Sequence, residues 1–127
     1  MINIQSIDHL VLTVQSIEAS CTFYKTILGI DSLEFKPGRY ALMIGKQKIN
    51  LHQAGNELTP HAKHPTRGSA DLCFLTNNNI QDVVNHLLTH NVKIETGPVE
   101  RTGAQGPIMS IYLRDLDGNL LEVATLI

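Results

Sequence analysis

One carboxylate stands inside an apolar run: Glu122, in Leu120-Leu121-Glu122-Val123-Ala124. If this run is a strand and Glu122 points inward, its charge must be paired, hydrogen-bonded or bound to a metal. Candidate partners lie in three other apolar runs. His9 lies in Ile7-Asp8-His9-Leu10-Val11-Leu12-Thr13-Val14, Asp71 opens Asp71-Leu72-Cys73-Phe74-Leu75, and Asn50 and His52 lie in Lys48-Ile49-Asn50-Leu51-His52-Gln53. Imidazole nitrogens and carboxylate oxygens together suit a divalent cation such as Zn²⁺, Ni²⁺, Mn²⁺, Co²⁺ or Fe²⁺. Two histidines with one carboxylate would suit non-haem iron.

Other histidines offer less. His86 and His90 are four apart, on one face of a helix, but the residues between them are Leu87, Leu88 and Thr89, so the glutamate of a zincin helix is missing. They read as a solvated face. His61 and His64 fall in the Pro- and Gly-containing stretch 54–69 and read as surface. Between two runs lies Arg101-Thr102-Gly103-Ala104-Gln105-Gly106-Pro107. Its glycines permit close backbone approach to a ligand, and Arg101 can clamp a carboxylate or phosphate. The stretch 97–107 is expected to be a loop.

The elements that must position these groups follow from periodicity. The first strand is expected over Ile7–Val14, with His9, Val11 and Thr13 on one face. Ser16 caps a helix whose apolar face is Ile17, Cys21, Tyr24 and Leu28, and Gly29 ends it in the left-handed region. Strands are expected over Asp31–Phe35, Tyr40–Ile44 and Lys48–Gln53. The order then repeats. A strand over Asp71–Leu75 leads to a helix capped by Asn78 or Asn79, with Ile80, Val84 and Leu87 on its face. Asn91 ends that helix. Strands over Val92–Glu95, Ser110–Leu113 and Leu120–Ala124 follow, the last two joined at Asp117-Gly118 by a type I′ turn. Both halves read βαβββ.

The halves superpose in sequence. Asp71 follows His9 by 62 residues (71 − 9), Ile80 follows Ile17 by 63 (80 − 17), and Glu122 follows Asn50 by 72 (122 − 50). Such order marks a repeat. If the modules pair about a pseudo-twofold axis, His9, Asp71, Glu122 and one of Asn50 or His52 meet in a cleft.

With 127 residues, 43% of them hydrophobic and 17% charged, a globular domain is the expectation. A net charge of −2 points away from nucleic acid and anionic membranes as partners. No run reaches the ~20 apolar residues of a membrane span, and residues 1–5 lack the pattern of a signal peptide. Cys21 and Cys73 are the only cysteines, and each is expected to be a buried free thiol. The expected compartment is the cytoplasm.

The paired βαβββ modules, Asp8-His9-Leu10-Val11-Leu12-Thr13-Val14, Phe23-Tyr24-Lys25-Thr26-Ile27-Leu28-Gly29 and Asp117-Gly118-Asn119-Leu120-Leu121-Glu122 together resemble the vicinal oxygen chelate superfamily. That group includes glyoxalase I, extradiol dioxygenases, fosfomycin-resistance proteins and bleomycin-binding proteins. The resemblance covers nearly the whole chain. Ile49-Asn50-Leu51-His52 and residues Arg101 to Ser110 resemble the glyoxalase-domain-containing protein 5 type and related bacterial proteins.

The resemblance implies an α+β fold in which two βαβββ modules, 5–54 and 69–127 of a single domain over 1–127, pair into a glyoxalase-like cleft. It implies a metal-dependent enzyme of glyoxalase or lyase type acting on a small molecule through two neighbouring oxygens. The metal would polarise those oxygens. His9 falls on the family's first-strand ligand and Glu122 on its last-strand ligand, where Glu122 would also serve as general base. Asp71 stands where glyoxalase I has a second histidine, and Asn50 where it has a glutamate. The implied ligand set is therefore His9, His52, Asp71 and Glu122, with Asn50, Arg101 and Tyr112 on the substrate. A homodimer is implied as well, as is a lid over the cleft formed by the loop 97–107. Two rival readings remain: a metal-free small-molecule binding or resistance protein, and an Fe²⁺ extradiol-type dioxygenase.

Overall fold

In the computed structural model, which describes all residues 1–127, the chain divides into two units, Met1–Arg67 and Gly68–Ile127. Each is a four-stranded mixed sheet with one helix, so the architecture is α+β and built from two βαβββ modules.

The first unit runs β1 (His9–Val14), α1 (Ile17–Leu28), β2 (Asp31–Lys36), β3 (Arg39–Ile44) and β4 (Gln47–Gln53). Its sheet order is β1-β4-β3-β2, with β1 and β4 parallel and the other pairs antiparallel. The second unit runs β5 (Asp71–Leu75), α2 (Ile80–Thr89), β6 (Thr96–Gly103), β7 (Gly106–Arg114) and β8 (Leu120–Leu126). Its order is β5-β8-β7-β6, again with a parallel first pair. The register repeats too. His9 aligns with Lys48 in one unit and Asp71 with Leu120 in the other, which preserves the offsets of 62 and 72 (71 − 9 and 120 − 48).

Local chemistry sets the helix ends where the sequence places them. The Ser16 side chain accepts the amide of Ala19 at 3.1 Å, and the Asn79 side chain accepts that of Gln81 at 2.8 Å. Each cap satisfies an amide that has no partner within the helix. Gly29 sits at φ 67°, where its amide and that of Ile30 return to Lys25 and Tyr24 carbonyls. Asn91, at φ 57°, performs the same reversal after α2.

Alternation along each strand separates two faces. In the first unit Leu12, Val14, Leu42, Ile49 and Leu51 are buried on one face, and Tyr24 and Ile27 of α1 are buried as well. In the second, Ile111, Leu113, Leu121 and Val123 form the buried apolar face, and Leu87 of α2 is fully buried. The opposite faces carry His9, Val11, Thr13, Asn50 and His52 in one unit and Cys73, Ser110, Tyr112 and Glu122 in the other.

Four expectations are corrected. The stretch 97–107 is not a covering loop. Thr96–Gly103 is a strand paired with Gly106–Arg114, and only Ala104 and Gln105 turn between them. The strand expected at Val92–Glu95 begins instead at Thr96, because Val92 is drawn into the helix end by the hydrogen bond its amide donates to the Leu87 carbonyl.

The Asp117-Gly118 turn is not type I′. That turn needs positive φ at both central residues, and of the two only Gly118, at 89°, has it. Residues 115–119 connect the strands around the buried Asp115 carboxylate. Asp115 Oδ1 accepts the amides of Asp117 and Asn119, both at 2.9 Å, and Oδ2 accepts the Asn119 side-chain amide at 2.8 Å. Asn119 Oδ1 then accepts the amide of Ala70 at 2.9 Å, tying the connection to the start of β5. Finally, neither cysteine is buried: Cys21 is half-buried and Cys73 is exposed on the polar face of β5.

Candidate functional site

The second unit carries a cleft of about 430 Å³ on the face of its sheet away from the apolar core. Its polar lining comes from Cys73 of β5, Arg101 of β6, Tyr112 of β7 and Glu122 of β8. The registers bring these four together. Glu122 lies between Cys73 on one neighbouring strand and Tyr112 on the other, and Arg101 lies opposite Ile108 on β7.

Glu122 is half-buried and has no cationic partner. The Ser110 hydroxyl donates to Glu122 Oε2 at 2.5 Å. Ser110 is itself fully buried, so it is a fixed donor. Such a charge-assisted bond is short and directional. On the other side lies the Cys73 thiol. Although the residue as a whole is exposed, desolvation of its sulfur against the sheet, reinforced by the charge of Glu122 and a hydrogen bond to it, pushes that thiol up to about 11. At neutral pH Cys73 is therefore a neutral donor and not a thiolate nucleophile.

Arg101 is held by Tyr112. Its Nε donates to the Tyr112 hydroxyl at 3.1 Å, and its guanidinium carbon lies 5.6 Å from the ring centroid. Arg101 also donates to the Glu100 carbonyl at 3.3 Å, and no carboxylate neutralises it. The cleft therefore presents an anion on one wall and a cation on the other, with a phenol between them and Leu75, Ile108 and Leu126 as apolar lining. This suits a small molecule with oxygen atoms on a short apolar frame.

The other expected site residues stand elsewhere. Asp71 is exposed at the start of β5. His9 is exposed on β1, with its Nδ1 2.7 Å from the Asp8 carboxylate. Asn50 and His52 are buried on one face of β4. The four expected metal ligands are thus divided, His9 and His52 in the first unit and Asp71 and Glu122 in the second. Within neither unit do three His, Cys, Asp or Glu side chains form a group that could hold a metal ion. Taken by itself, the cleft of the second unit supplies one carboxylate beside a protonated thiol and a guanidinium, and no imidazole.

Sequence reasoning overlooked Ser110 and gave Cys73 the wrong surroundings. A hydroxyl within Ile108-Met109-Ser110-Ile111 was the available signal, since a polar atom in an apolar strand needs a partner. His86 and His90 lie on the exposed side of α2 with ring centroids 4.4 Å apart, as expected for a solvated face.

This geometry can be set beside known proteins. A family model described as Glyoxalase/Bleomycin resistance protein/Dioxygenase superfamily matches residues 6–123. The chain belongs to that superfamily. Within the glyoxalase superfamily it is 55% identical over 121 residues to Virulence protein STM3117 of Salmonella typhimurium, covering 95% of this chain and 84% of that protein. The crystal structure of that virulence protein matches with a TM-score of 0.96 at 53% identity, covering 99% of this chain and 100% of the other. Glyoxalase domain-containing protein RDO1 of Mycosarcoma maydis is 48% identical over 124 residues, which is 98% of this chain and 70% of that protein. A V. cholerae integron cassette protein matches with a TM-score of 0.96 at 50% identity, over 100% of this chain and 99% of its own.

Proposed function

We propose that this chain is a glyoxalase-superfamily enzyme of lyase or isomerase type. On this reading it binds a small oxygen-bearing substrate in the cleft of the second unit, and Glu122 is its general base. The observation that carries the reading is the Glu122 carboxylate, half-buried in the cleft, fixed by Ser110 and without a cationic partner. A base of this kind is oriented for proton transfer while its charge remains available.

The chemistry follows from the groups present. Glu122 takes a proton from carbon next to a carbonyl. The C–H electron pair moves toward the carbonyl, whose oxygen becomes an oxyanion. The Tyr112 hydroxyl and the Arg101 guanidinium are the donors for that oxygen. Where the deprotonated carbon bears a hydroxyl, transfer of that hydroxyl's proton to the oxyanion and return of the first proton from Glu122 to the former carbonyl carbon move the carbonyl by one position and complete an isomerisation. Family members often use divalent metals. In this chain His9, His52 and Asp71 remain candidate ligands alongside Glu122, and Asn50 a candidate substrate contact, but no step above depends on a metal. The homodimer and the cytoplasmic location implied by family resemblance belong to the same proposal. No helix is long and apolar enough to cross a membrane.

The test is carbon-bound proton exchange. Hydroxyacetone is incubated with the protein in D₂O and followed by proton NMR, without metal and with Zn²⁺, Ni²⁺, Mn²⁺, Co²⁺ or Fe²⁺. Exchange that disappears in a folded Glu122→Gln variant supports the base. Elemental mass spectrometry of the untagged protein reads the metal content. Binding in the cleft without exchange under any condition replaces the enzyme by a binding or resistance protein. Oxygen consumption on a catechol with Fe²⁺ replaces it by a ring-cleaving dioxygenase.

A further inference from the structure

One pair of histidines has no part in the cleft. His86 and His90 stand four residues apart at the C-terminal end of α2, so they share one face of the helix. Leu87, between them in sequence, is fully buried, and its burial sets the rotation of α2 about its own axis. With Leu87 turned to the apolar core, both imidazoles are left exposed. The cleft is on the opposite face of the sheet, and neither histidine lines it.

Three observations fit this pair to a metal ion. First, the rings already converge, with centroids 4.4 Å apart and planes inclined by 47°. Two imidazole nitrogens bound to one ion at about 2.0–2.1 Å put their ring centroids roughly 4.5 Å apart at a right angle, and roughly 5.2 Å apart at the tetrahedral angle. The observed spacing is that of a right angle. Right-angled nitrogen ligands belong to tetragonal Cu²⁺ and Ni²⁺, not to tetrahedral Zn²⁺.

Second, one tautomer is already fixed. His90 Nδ1 lies 3.0 Å from the His86 carbonyl oxygen. A carbonyl only accepts, so Nδ1 carries the hydrogen and Nε2 bears the lone pair. A backbone carbonyl on the far ring nitrogen is a common support for a metal-binding imidazole. Third, the pair stands on the last turn of the helix, whose terminal carbonyls carry partial negative charge and favour a cation. That turn is closed by the His90 amide, which donates to the His86 and Leu87 carbonyls at 3.2 and 3.1 Å, and by the Val92 amide, which donates to the Leu87 carbonyl at 2.9 Å. Little ordering of the backbone is left for binding to complete.

We propose that His86 and His90 form an exchangeable two-imidazole site on the outer side of α2 for a divalent ion of tetragonal preference, Cu²⁺ before Ni²⁺. His90 Nε2 and one ring nitrogen of His86 are the protein ligands, and water fills the remaining positions. With only two protein ligands the ion comes and goes. This site does not depend on the chemistry assigned to Glu122.

The test is calorimetric titration of the full chain with CuCl₂, NiCl₂ and ZnCl₂ against a glycine competitor, with electron paramagnetic resonance of the copper form. The first equivalent of Cu²⁺ binds about tenfold or more tightly than Zn²⁺, and its spectrum is axial with nitrogen hyperfine splitting. His86→Gln and His90→Gln each weaken that equivalent by about tenfold or more with circular dichroism unchanged, glutamine being a good helix former. Either change destroys the chelate, so the double variant binds about as weakly as either single one. Glu122→Gln, His9→Gln and the pair His61→Gln with His64→Gln leave the first equivalent unaltered. The proposal is overturned if the double variant keeps that equivalent, if Zn²⁺ binds as tightly as Cu²⁺, or if the two single losses add, which would describe two separate imidazoles. It is also overturned if Glu122→Gln or His9→Gln removes the first equivalent while His86→Gln does not.

Discussion

The Ser110 hydroxyl donates to Glu122 Oε2 at 2.5 Å across the β7–β8 pair, from a position two residues away from Tyr112, which lies directly opposite Glu122. A diagonal contact of this kind holds the carboxylate from one side and leaves the phenol on the other. Ser110→Ala removes a hydrogen bond to a charged acceptor, with an expected loss of about 1.5–3 kcal/mol. Urea unfolding reads it as a lower midpoint with an unchanged slope. An unchanged midpoint would mean that Glu122 is not held by Ser110 in solution.

Gly97 permits that arrangement. Its φ is +104°, and a Cβ at this position would press into the Ser110 carbonyl oxygen and come within 3.0 Å of Ile111 Cα. Gly97→Ala therefore forces β6 away from β7 beside the residue that holds Glu122. The combined strain and overpacking should cost about 2–4 kcal/mol. Thermal unfolding measures the loss, and a melting temperature equal to the parent's would refute the close approach.

Asp115 is the centre of the connection between β7 and β8, where it accepts three hydrogen bonds while buried. Asp115→Ala strands two backbone amides and the Asn119 side chain, at an expected cost of about 3 kcal/mol or more. Because Asn119 also accepts the Ala70 amide, the pair should couple. A double-mutant cycle of Asp115→Ala with Asn119→Ala is expected to give an interaction of about 1–3 kcal/mol. Additive losses would show that the two act separately.

His52 makes stability depend on pH. Burial lowers its pKa in the fold, whereas the unfolded chain protonates it near 6.5. Below 6.5 the unfolded state binds more protons, so stability falls as pH drops through the folded value and is fully regained above 6.5. Urea unfolding from pH 5 to 7.5 should show the parent gaining stability with rising pH relative to His52→Gln. Parallel curves for the two proteins would rule out a depressed imidazole.

Much of the architecture was written into local sequence. Ser16, Asn79 and Gly29 act through bonds to residues a few positions away, so their types alone mark the helix ends. The repeat was legible because equivalent strands bury equivalent faces, and the offsets of 62 and 72 reappear as aligned registers. Glu122 stood out because a carboxylate in an apolar strand needs an explanation.

What local pattern could not decide was which partners distant strands supply. Asp117-Gly118 suits a type I′ turn in isolation, yet the buried Asp115 carboxylate gathers three donors and imposes a longer connection. Residues 97–103 look irregular because Gly and Pro are poor strand formers, but pairing with β7 satisfies their backbone and makes them an edge strand. Ser110 and Cys73 reach Glu122 only through the order β5-β8-β7. The sequence alone therefore determined the two βαβββ modules and the chemical types on each strand face. Tertiary structure decided which of those groups meet, because hydrogen-bond partners in a sheet are set by register between strands far apart in the chain.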